Sequence, residues 1–70
     1  MADELDEGDH VTWRSHGTTV DGTVERKITS DTEASGRTVR ADDEHLQYEV
    51  RSDGSGRTAV HEPGALHEKP

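Results

Sequence analysis

The sequence predicts a small all-β domain whose five short strands close into a barrel. Three observations carry that reading. Apolar and polar residues alternate in short runs, most clearly where Leu46, Tyr48 and Val50 interleave with Gln47, Glu49 and Arg51. No segment keeps helical spacing long enough to build a helix. Glycine-bearing turn segments, such as Ser52-Asp53-Gly54-Ser55-Gly56, separate the runs. Five short strands in 70 residues must hide their edges, and closure is the economical way to do so.

In chain order, residues 1–7 are highly charged and without periodicity, and they read as a disordered acidic tail. Order begins at the turn pair Gly8-Asp9. Residues 10–14 alternate, with Val11 and Trp13 on one face of a half-buried strand. Residues 15–17 form a loop. Residues 18–28 form a longer strand in which Val20, Gly22 and Val24 share a face. Gly22 lies mid-strand, where glycine marks a bend, a bulge or a close backbone approach. Arg26 then falls in the inward phase, so the strand must bend, bulge or leave the core there.

Residues 29–36 are polar, end in Gly36 and read as a loop. Residues 37–41 make a short strand with Val39 inward, and 42–44 a charged turn. Residues 46–51 and 57–61 are a hairpin around 52–56. Pro63-Gly64 ends the second arm, because proline cannot donate to a ladder. Ala65-Leu66 makes a short helical turn that plugs the barrel with Leu66. The domain thus spans 8–67, with 68–70 frayed.

A chain this short buries little surface, so its stability is small. The expected core is Val11, Trp13, Val20, Val24, Ile28, Val39, Leu46, Tyr48, Val50, Val60 and Leu66, helped by Ala41 and Ala59. There is no cysteine, hence no disulfide and no thiolate metal site. The acidic start is unlike a secretory signal, and no stretch nears the ~18 apolar residues of a membrane helix. A cytoplasmic monomer is the expectation.

The net charge is −8, from sixteen acidic and eight basic side chains. Five of the acids lie in residues 1–10 (Asp3, Glu4, Asp6, Glu7, Asp9) and five more in 31–45. Such a balance repels nucleic-acid phosphates at long range. Two lysines against sixteen carboxylates fit two origins: a salt-loving organism, or an arginine-preferring bacterium whose protein carries an acidic tail.

Several residue groups resemble one known family. The run Gly8-Asp9-x-Val11-x-Trp13 with Gly22-x-Val24 after it is similar to the opening of SH3-like barrels of the Tudor and KOW type. Gly36-Arg37-Thr38, Ala41-Asp42-Asp43-Glu44, Gln47-Tyr48-Glu49-Val50-Arg51-Ser52-Asp53, His61 and Ala65-Leu66 resemble the hypervirulence-associated Tudor-domain family. The resemblance runs from Gly8 to Leu66. It implies an SH3-like, Tudor-type barrel and carries no established activity or ligand. The chain departs from the pattern at Leu46, where proline is expected, at His45, where an acid is expected, and in being acidic where many relatives are rich in lysine.

The chemistry-bearing residues point away from catalysis. No Gly-x-Ser-x-Gly elbow, cysteine nucleophile or phosphate loop is present. The five histidines lack the spacing of a preformed ligand pair, and Asp42-Asp43-Glu44 lacks the calcium-loop pattern. Neither a metal nor a cofactor is expected. A methyl-lysine cage needs three or four aromatic rings, and this chain has only Trp13 and Tyr48, both in core phase. The expected function is a non-catalytic binding module for a protein or peptide, through an exposed strand edge. The alternative is a nucleic-acid module using an arginine stripe. The candidate binding residues are Arg37, Arg40, Arg51, Arg57 and His61. The competing reading of the arginines is pairing with Glu25, Glu49 and other acids across strands.

Overall fold

The computed structural model describes residues 5–69. Among these residues, all regular structure is strand apart from one 3₁₀ turn, Pro63–Ala65. Seven strands form: β1 His10–Ser15, β2 Thr18–Ile28, β3 Thr32–Ala34, β4 Arg37–Val39, β5 Gln47–Ser52, β6 Thr58–His61 and β7 His67–Glu68. Five build one sheet in the order β6-β5-β2-β1-β7, and β3 and β4 pair separately as a hairpin.

The turns arise from local chemistry. β1 passes to β2 through His16 and Gly17, with φ of 51° and 79°. β3 passes to β4 through Ser35 and Gly36, with φ of 53° and 79°. Positive φ at both central residues is the tight hairpin turn whose twist matches that of paired strands. Sequence pattern places the second of these at the end of a loop over 29–36. Its Ser-Gly pair is a hairpin signal, and it adds a strand to the expected set.

β2 holds the architecture together, pairing β1 along its first half and β5 along its second. The conflict expected at Arg26 is resolved by a bulge. Val24 faces Val50, but Arg26 faces Glu49, so Glu25 is the extra residue. An extra residue flips the side-chain phase of the remainder of its strand. Arg26 and Ile28 therefore turn to the face opposite Val24.

This phase change divides the core. On one face lie Leu5, Val11, Trp13, Val24, Tyr48, Val50 and Leu66, with Val20 and Ala59 packed against them. Ile28 and Val60 lie on the other, where they cluster with Ala34 and Val39 of the β3–β4 hairpin and with Ala41. The register agrees, since Val60 faces Glu49 and Ile28 faces Gln47, the residues flanking inward Tyr48. Hydroxyls pin the hairpin as well: Ser35 Oγ lies 3.2 Å from Glu49 Oε2 and 2.9 Å from Thr58 Oγ1.

The sheet curls without closing. Trp13 of β1 and His61 of β6 come within 5.4 Å, ring centre to ring centre, although β2 and β5 separate their strands in the sheet. The expected closed barrel of five strands is corrected to an open sheet with edges at β6 and β7. After β6 the chain crosses through the 3₁₀ turn and drops Leu66 into the first cluster, as the sequence suggests. The expected fraying of 68–70 is also corrected: Glu68 faces Val11 in the ladder, and Lys69 N–H donates to the His10 carbonyl at 2.8 Å. Pro70 lies outside the described residues.

The other end corrects the tail. Residues 1–4 lie outside the described residues, but Leu5 is buried in the core at 6% exposure. Its N–H donates to the Tyr48 hydroxyl at 3.0 Å, which provides that fully buried phenol with a partner. Asp6 and Asp9 bond each other's backbone, and Gly8 and Asp9 exchange bonds with Val24, continuing the β1–β2 ladder. A lone leucine among acids gives no periodic signal, which is why sequence pattern misses it. Truncation at Gly8 is expected to lower the melting temperature by about 10 °C, since removing a buried leucine costs about 2 kcal/mol in a domain this small. Thermal denaturation followed by circular dichroism checks this, and an unchanged midpoint would show that Leu5 contributes nothing.

Candidate binding edge on β6

β6 has one strand neighbour, β5, among the described residues. The hairpin decides which of its backbone groups point away. Ser52 N–H donates to the Arg57 carbonyl at 2.8 Å, in register with the pairs above it. Hydrogen-bonded and non-bonded pairs alternate along an antiparallel ladder. Ala59 and His61 therefore bond inward to Val50 and Tyr48. The N–H and C=O groups of Thr58 and Val60 point outward, away from β5. Gly56, at φ 76°, closes the loop by donating to the Ser52 carbonyl.

His61 stands at the end of this edge. Its ring packs against Trp13 at a tilt of 42° and is half-buried. Partial burial, and secondarily the positive charge of Arg37, hold its pKa below the ordinary imidazole value. The unfolded chain therefore takes up this proton first as pH falls. His61 contributes its stability in full above about pH 6.5, loses it as pH drops through that value to the folded pKa, and changes nothing further below. Urea denaturation at pH 8 and pH 5 should show a smaller drop for His61→Gln than for the native chain. An equal drop would place the titration elsewhere.

The structure separates the expected arginines. Arg51 Nε pairs with Glu25 Oε2 at 3.0 Å, the cross-strand pairing that competes with a binding role. Arg26 Nε does the same with Glu49 Oε1 at 2.9 Å. No side-chain hydrogen bond or ion pair engages Arg37, Arg40 or Arg57 among the described residues. Arg37 and Arg40 line one open groove of about 510 Å³ with Thr38, Val39 and Gln47. Arg57 lies just before β6. Of the four, Arg37 and Arg40 share a groove and Arg51 faces a carboxylate.

Elsewhere the polar groups serve turns. Asp42 Oδ1 accepts from the backbone N–H of Glu44 and His45, which lowers its pKa, and lies 3.2 Å from His45 Nδ1. No three metal-ligating side chains converge among the described residues. The outward groups of Thr58 and Val60 are absent from the sequence candidates. The signal that finds them is the hairpin register, which side-chain chemistry does not display.

No curated protein and no solved structure matches the chain. A family model described as hypervirulence associated proteins TUDOR domain matches residues 8–66, from the first turn to the leucine that seals the core. The chain therefore belongs to the hypervirulence-associated Tudor-domain family.

Proposed function

We propose that this domain is a protein-binding module that takes an extended segment of its partner along β6. Membership of a Tudor-domain family supports a small binding module. We read the curled sheet as an SH3-like, Tudor-type barrel left open between its edge strands β6 and β7. One observation carries the proposal: the outward N–H and C=O groups of Thr58 and Val60 have no backbone partner among the described residues. Unpaired edge groups are a template for another strand, and main-chain bonds supply the affinity in that mode of recognition.

Thr58→Pro tests it. Proline at this position removes an outward donor, a substitution that edge strands tolerate, together with the hydroxyl that Ser35 contacts, so Thr58→Val, which loses the hydroxyl alone, is the control. The folded variant, checked by circular dichroism, is expected to lose the proteins that the immobilised native domain retains from a lysate. Equal retention by both would rule out the β6 edge as the contact.

A further inference from the structure

We propose that the segment taken by β6 is acidic, with a carboxylate held between Arg37 and Arg40. This rests on the reading of β6 as the binding edge and adds the chemistry of the partner.

Acidic side chains outnumber basic ones by sixteen to eight. Two of the six arginines pair with acids and Arg14 bonds the Gly17 carbonyl, so what sets Arg37 and Arg40 apart is that both stand open on one groove. The paired two are Arg26 and Arg51, and Lys69 Nζ lies 3.5 Å from Asp21. Arg37 and Arg40 have no carboxylate partner among the described residues, and both are exposed. The acids on the elements around them are occupied or apart. Glu49 accepts from Arg26 and Ser35, and Asp31 accepts from the Ala41 N–H. Glu33 and Glu62 are exposed and form no ion pair with either arginine.

The groove lies beside the edge. The tip of the β3–β4 hairpin touches Thr58 through Ser35, and Val39 shares a cluster with Val60. β4, which carries Arg37, thus runs close to the strand whose outer groups are open. The charge of Arg37 is felt at His61, at the far end of β6, in keeping with that proximity. Arg57 stands at the near end. Arg37, Arg40 and Arg57 thus lie along the edge in a chain of net charge −8.

That arrangement suits carboxylates on an extended chain. Guanidinium groups bind carboxylates through paired, charge-assisted bonds. Gln47, on the same groove, adds an amide donor. Alternate residues of an added strand face one side, so a partner alternating acidic and apolar residues presents its acids in one row. Nucleic acid fits less well. It needs a continuous basic track and stacking rings, whereas Arg51 is paired and both aromatics are buried.

The test uses the full chain, ¹⁵N-labelled and monitored by amide shifts. Three probes of equal length are compared: an alternating Asp-Val peptide, an alternating Lys-Val peptide and a single-stranded oligodeoxythymidylate. The Asp-Val peptide is expected to shift the amides of Thr58–His61 and of Arg37–Arg40 together. Arg37→Gln with Arg40→Gln should weaken it about tenfold, and added salt should weaken it further. Thr58→Pro should weaken it as well. If the Asp-Val and Lys-Val peptides bind equally and the arginine variant binds like the native chain, the acidic partner is overturned while the edge stands. If Asp-Val binding needs the arginines but ignores Thr58→Pro, the edge is overturned while carboxylate recognition stands. Binding of the oligonucleotide alone, or of nothing, overturns both.

Discussion

Replacing Trp13 by alanine is expected to unfold the domain. The indole is 4% exposed and sits in the larger cluster with Val11, Val24, Tyr48, Val50, Leu66 and Leu5. It also meets the His61 ring of β6 across the curl of the sheet. Truncating a core aromatic costs about 3–5 kcal/mol, which is comparable with the whole stability of a domain this small. Loss of the strand signal in far-ultraviolet circular dichroism at 25 °C, or a non-cooperative urea transition, is the expected observation. A cooperative transition close to that of the native chain would mean the indole is not structural.

The second large effect is expected at Gly22, and it depends on the first. Gly22 faces Val11 on one side and Ser52 on the other, at the centre of the ladder. A methyl group there would collide with the Arg51 carbonyl oxygen and with the Trp13 ring. Neither can yield cheaply, since one is backbone in a paired strand and the other a ring wedged in the core. Gly22→Ala is therefore expected to cost about 3 kcal/mol, at the upper end for overpacking. Urea denaturation measures it, and a midpoint within experimental error of the native value would contradict this packing. A smaller partner should relieve part of the clash. Gly22→Ala should thus cost less in a Trp13→Leu background than in the native one, a coupling that a double-mutant cycle reads directly.

These two residues show what the sequence displays and what it withholds. Gly22 inside a β-branched run announces a close approach, and Trp13 in phase with Val11 announces a buried ring. Sequence does not say that the two meet, because a contact across the ladder depends on register. Alternation places β1, β2, β5 and β6 because each buries one face in a period of two. It fails at β3, whose Thr-Glu-Ala buries only Ala34 and resembles a polar loop. It fails at Leu5, a single residue without a pattern. The arginines are identifiable as binding candidates, but sorting them needs coordinates. Arg51 and Arg57 look alike in sequence, and only the fold shows that Arg51 has Glu25 beside it while Arg57 pairs with no acid among the described residues.

The bulge at Glu25 has a consequence for how the molecule comes apart. The two clusters it creates have no residue in common. The smaller is built largely on the β3–β4 hairpin, which has no backbone ladder to the main sheet. Opening that hairpin breaks a few side-chain packings, two hydroxyl contacts and the bond from Arg26 Nη2 to the Glu33 carbonyl, but leaves every rung of β1, β2 and β5 intact. Its opening free energy is therefore well below that of the whole domain, in the manner of a separate cooperative unit. Arg37 and Arg40 travel with that unit. On the binding proposed above, a partner that grips them would hold the hairpin against the sheet, so the expected result is slower amide exchange across residues 32–39 in the complex than in the free chain.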